Sequence, residues 1–83
     1  MNTDQTNDQK PTARETYKQR RSDIARVLDW LDLELDRHGT DAKANPKNWG
    51  YPGDLVHIRE KLIETLAFIS NSEPKEIEDL LAE

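Results

Sequence analysis

The sequence predicts an all-α protein: an antiparallel helical hairpin with a long ordered connection and a short amphipathic C-terminal segment able to form a further helix. Two stretches carry apolar residues at helical spacing, and each is flanked by residues that start or stop helices. Between them, Asn48 to Asp54 reads NWGYPGD, two aromatics among two glycines and a proline, a composition that bends the chain.

Residues 1–11 are rich in Asn, Asp, Gln and Thr and lack a repeating apolar face, so they read as a flexible N-terminal arm, with residues 12–83 as a single small helical domain. Thr12-Ala13-Arg14-Glu15 has the form of a capping box, Thr12 accepting an early helical N–H and Glu15 reaching back, which starts the first helix near Ala13. Tyr17, Ile24, Val27, Leu28, Leu31 and Leu35 then fall within one broad face at about 100° per residue. The run is expected to end at His38-Gly39, with the glycine as a left-handed C-cap.

Asp54 is the expected N-cap of the second helix, whose stripe is Leu55, Ile58, Leu62, Leu66 and Ile69, widened by Val56, Ile63 and Ala67. A surface this broad has to face more than one neighbouring element. Asn71-Ser72 breaks the pattern, Pro74 suits a first helical turn, and Ile77, Leu80 and Leu81 give one apolar side to a short last segment. An isolated helix of that length is weak in water, so it either covers the hairpin or awaits a partner. In the connection, residues 39–53, Trp49 and Tyr51 are expected to anchor the loop against the helix ends while Gly50, Pro52 and Gly53 supply the bends.

With 83 residues and a formal charge of −5, the chain offers a modest core, which a self-associating partner would complete. It contains no cysteine, so disulfides and thiolate metal ligands are excluded. The N-terminal residues lack the apolar run of a secretory signal, and no stretch approaches the roughly 20 apolar residues that span a bilayer, so a soluble cytoplasmic protein with no membrane partner is the simplest expectation. Charge is unevenly spread. Residues 10–26 hold six cations against two carboxylates (balance +4), and residues 73–83 hold five carboxylates against one lysine (balance −4).

Trp30 and Leu33 depart from a simple two-helix core. With Ile24 at zero on the helical wheel they fall near roughly 240° and 180°, away from the main stripe, and Phe68 sits similarly on the second helix. These three, with Trp49 and Tyr51, are the protein-interaction candidates, either as a second helix interface or packed against loop and C-terminal segments. Lys18, Arg20, Arg21 and Arg26 are the alternative phosphate contacts, but Arg20 and Arg21 flank the apolar face rather than joining every cation into one stripe, and no nucleic-acid motif emerges.

Asp29, Asp32 and Asp36 share a polar side of the first helix, and His57, Glu60 and Glu64 one of the second, without a complete ligand set for a metal. His38 reads as a helix-end residue. Ser22, Ser70 and Ser72 form no nucleophilic constellation with either histidine, and no phosphate loop or dinucleotide fingerprint is present. No cofactor and no enzyme activity are expected. A noncatalytic protein–protein interaction module, regulatory or assembly-related, is the leading expectation, with a protein partner, a homodimer or both. Its rivals are a self-assembled structural module, a basic-face nucleic-acid-binding protein and a metal-dependent enzyme.

Overall fold

The computed structural model describes residues 10–83, and the greater part of the expected N-terminal arm lies outside them. Among the described residues the fold is all-α, with three helices: α1 (Ala13–Ala44), α2 (Gly50–Ser70) and α3 (Pro74–Leu81). Two long helices in succession and a short third are as the periodicity predicts. The chain divides into two units, the first ending at Asp41 and the second running from Ala42 to Glu83. Among the described residues no helix is long and apolar enough to cross a membrane.

The first unit is essentially the body of α1. Its start is the expected capping box: the Glu15 N–H donates to Thr12 Oγ1 at 3.0 Å and the Thr12 N–H to Glu15 Oε1 at 2.9 Å. Each bond satisfies a backbone donor that an unfinished first turn leaves bare. No residue of α1 is buried.

The end of α1 corrects the sequence reading. Gly39 is no C-cap; the helix passes through it to Ala44, and no glycine has positive φ. His38 accordingly lies inside the helix rather than at its end. Side chains hold this turn together: Arg37 Nε donates to Glu34 Oε1 at 2.8 Å, its Nη1 to Asp41 Oδ2 at 3.1 Å, and Thr40 Oγ1 to the Asp36 carbonyl at 3.3 Å. The glycine weakens a helix by about 1 kcal/mol but does not by itself end one.

In the second unit the expected long connection shrinks to residues 45–49, because α2 begins at Gly50 rather than after Asp54. The Gly50 N–H donates to Asn48 Oδ1 at 2.8 Å, and the Gly53 N–H to the Trp49 carbonyl at 3.1 Å. Pro52 is thereby accommodated within the first turn, where its missing N–H costs no intrahelical bond. Gly50, Pro52 and Gly53, expected as loop residues, instead open the helix.

Asn71 ends α2 in the left-handed region, φ 57° and ψ 38°, its N–H bonded to the carbonyls of Ala67 and Phe68. The Ser72 N–H closes a wider turn onto the Ala67 carbonyl at 3.0 Å, and the Ser70 and Ser72 hydroxyls meet at 2.7 Å. Glu73 is extended and Pro74 opens α3, with Glu76 in the first turn near its positive end. This reversal packs α3 on α2. The core is Ile63 and Ala67 of α2 with Ile77 of α3, while Leu80 and Leu81 stay exposed.

Candidate functional site

A residue on a helix can serve recognition only if folding leaves it accessible and held. On α1, Trp30 and Leu33 remain 55% and 65% exposed, on the side of the helix where about 100° per residue places them. One turn before Trp30, the Arg26 guanidinium carbon lies 5.5 Å from the centre of its ring. The cation covers part of the π face and holds the indole against the helix, an interaction worth about 0.5–1 kcal/mol at an exposed site. Asp23, Val27, Arg26 and Trp30 border a shallow open hollow there.

The main stripe of α1 is exposed over its first half. Tyr17, Ile24, Val27 and Leu28 are exposed, and Leu31 and Leu35 are half-buried. Tyr17, Ile24, Leu31 and His38 recur every seven residues, and Leu28, Leu35 and Ala42 follow the last three of them by four. That alternation of three and four is the spacing of a coiled-coil seam.

In the second unit the two aromatics of the connection part company. Tyr51 is half-buried, and its hydroxyl accepts from Asn45 Nδ2 at 3.5 Å, so it ties the first turn of α2 to the preceding turn. Trp49 does not anchor the segment: it is the N-cap residue of α2, makes no side-chain capping bond, and stands 83% exposed. With α2 starting at Gly50, the Trp49 ring precedes the helix rather than packing beneath it. Phe68 is 84% exposed, although it neighbours the buried Ala67. One residue is about 100° of helix, enough to turn a side chain from the α3 contact to open surface.

The four phosphate-contact candidates are not brought together as one stripe. Arg20 pairs with Asp23 at 3.4 Å, and Arg26 sits over Trp30. Arg21 occupies a seam position between Tyr17 and Ile24, and Lys18 lies beside the seam on the side away from Arg20. Among the described residues no group of three or more His, Asp or Glu side chains is arranged to hold a metal ion; Asp29, Asp32, Asp36, His57, Glu60 and Glu64 make no such cluster.

Sequence reasoning missed the contact that closes α3 onto α2. Arg59 Nη1 donates to Glu78 Oε2 at 3.1 Å and Nη2 to Glu78 Oε1 at 2.7 Å. The hydrogen bonds from Arg59 outweigh the loss of hydration and, with a lesser contribution from its charge, hold the Glu78 carboxyl below its ordinary value, while Glu78 raises the Arg59 guanidinium. A basic residue one turn before Ile63 and an acidic one beside Ile77 were the available signal, but their pairing depends on the turn at Asn71.

No family model matches the chain, and neither the curated proteins nor the solved structures give a match.

Proposed function

We propose that the chain is a noncatalytic, cytoplasmic protein–protein interaction module with a regulatory or assembly role. The reading is carried by one observation: only Ile63, Ala67 and Ile77 form a buried apolar core among the described residues, while Trp30, Leu33, Trp49 and Phe68 are displayed. Apolar surface left in water is recovered when a partner covers it, at about 25 cal/mol per Å² of area. Aromatic side chains are the usual energetic anchors of such contacts. Trp30, pinned by Arg26, meets a partner with part of its orientational freedom already lost.

The mechanism is occlusion or positioning of a partner rather than chemistry. Affinity capture of the native chain with quantitative mass spectrometry, followed by calorimetry against the recovered protein, tests it. Alanine at Trp30, Leu33, Trp49, Tyr51 and Phe68 should each leave helicity intact, and at least one should weaken binding by about 2 kcal/mol. Unchanged affinity at every one of them would reject these anchors.

The seven-residue spacing of the α1 stripe favours a second reading, a structural module that assembles with itself. Sedimentation over a range of protein concentrations separates the two: obligate self-assembly requires association by the pure chain.

A further inference from the structure

The seam of α1 carries its own statement of what covers it, written in charge. From Ala13 to Val27, α1 holds five cations (Arg14, Lys18, Arg20, Arg21, Arg26) against two carboxylates (Glu15, Asp23), a balance of +3. From Leu28 to Ala44 it holds five carboxylates (Asp29, Asp32, Glu34, Asp36, Asp41) against two cations (Arg37, Lys43), a balance of −3. The helix is a charge antisymmetric rod whose sign changes near the centre of its apolar stripe.

We infer that α1 pairs antiparallel with α1 of a second copy of this chain, about a twofold axis at the level of Arg26. This rests on reading the exposed apolar residues of α1 as an interaction surface, and it names the occupant. In that register four of the five apolar seam positions from Tyr17 to Leu35 meet apolar partners: Ile24 faces Leu28 of the second copy and Tyr17 faces Leu35. Beside the seam, Lys18 comes opposite Asp32 and Arg20 opposite Glu34, and each pair occurs twice by symmetry. Ala25 and Val27, the uncharged flanking residues, meet their own counterparts at the axis. Arg21 faces Leu31, laying its aliphatic stem along the seam with its head toward solvent.

A parallel pair fails on the same residues. It sets the basic half against the basic half, and Arg21 against Arg21 within the seam. Sliding the antiparallel pair by one heptad, so that Ile24 faces Leu35, sets Lys18 against Gly39 and Val27 against Glu34, and loses two of the four flanking ion pairs. Arg20 and Glu34 currently pair within their own helix, with Asp23 and Arg37, through exposed contacts that cost little to exchange.

The test is a charge swap in the full chain. K18E/R20E places acid opposite acid in its own dimer, and D32K/E34K places base opposite base. Each should self-associate roughly tenfold or more weakly than the parent chain in sedimentation velocity, with helicity by circular dichroism retained. An equimolar mixture should restore dimers, all of them heterodimers, because every reversed residue then meets its complement. Full dimerisation by either variant alone, or no rescue on mixing, overturns the register. A parent chain that stays monomeric at the highest attainable concentration overturns the second copy as occupant, whereas the protein-interaction reading fails only if calorimetry finds no contribution from the aromatic anchors.

Discussion

Arg59 and Glu78, nineteen residues apart in the chain, meet through two hydrogen bonds that fasten α3 to α2 beside Ile63 and Ile77. The pair is about half exposed, so its value lies in orientation more than in energy. Because the folded chain holds the Glu78 carboxyl below its ordinary value of 4.5, the stabilisation is fully present above about pH 4.5 and is lost as pH falls through the lowered folded value. Amide exchange or methyl resonances of α3 followed from about pH 7 to about pH 3 should show this loosening. Glu78→Gln should loosen α3 already at neutral pH and remove this part of the acid response; an unaltered response in that variant assigns it to other carboxylates.

Ile77→Ala should release α3. The residue is the sole α3 contribution to the core. A truncation of this kind costs about 2 kcal/mol or more, and an eight-residue helix has no independent stability to spare. Amides of residues 76–82 should exchange at the rate of an unfolded chain, while Leu80→Ala, at an exposed site, should change stability by no more than about 0.5 kcal/mol. Equal effects of the two substitutions would contradict the assigned packing.

Gly39→Ala should stabilise α1 by roughly 0.5–1 kcal/mol, because the residue is helical, has no positive φ, and a Cβ there meets nothing within 4 Å. The sign of the change decides the conformation: a left-handed cap at Gly39 would make the same substitution destabilising. Thermal unfolding monitored at 222 nm is sufficient to read it.

Asn71 has the opposite requirement. Its φ of 57° is accessible to glycine without strain, so Asn71→Gly should be neutral within a few tenths of a kcal/mol, whereas Asn71→Val should cost about 1–2 kcal/mol. The damage should appear first in α3, since the reversal at Asn71 aims it. Chemical denaturation of both variants, with α3 amide exchange alongside, checks the order of effects.

Thr12→Ala removes the acceptor of the Glu15 N–H and should cost the start of α1 about 1 kcal/mol. The expected readout is faster amide exchange confined to residues 13–16. Spread of the effect to the middle of α1 would mean that the cap governs the whole helix.

The local features were open to inspection in the sequence because their causes lie within a turn of helix. Thr12 and Glu15 are three residues apart, and their reciprocal bonds follow from that spacing alone. The start of α3 at Pro74 is equally local. Gly39 misled because a glycine at the end of an apolar run looks the same whether it caps a helix or interrupts one; Arg37 and Thr40 decided in favour of continuation. Pro52 misled in the same way, since a first turn and a loop both accommodate proline. For the candidate site, the wheel positions of Trp30 and Leu33 predicted separation from the main stripe, but not the Arg26 contact or the exposure of Trp49.

The sequence by itself determined that this protein is helical, where its first helix begins, which face of each helix is apolar and how charge runs along α1. Those properties depend on backbone periodicity and on neighbours within four residues, so they are fixed before any distant contact forms. Tertiary structure alone decided that Ile63, Ala67 and Ile77, out of many similar apolar residues, become the core, and that Arg59 meets Glu78. Burial is a competition for a limited contact area. The left-handed turn at Asn71 settles it by aiming α3 at one side of α2, and Ile24, Val27, Leu28 and Phe68 stay exposed.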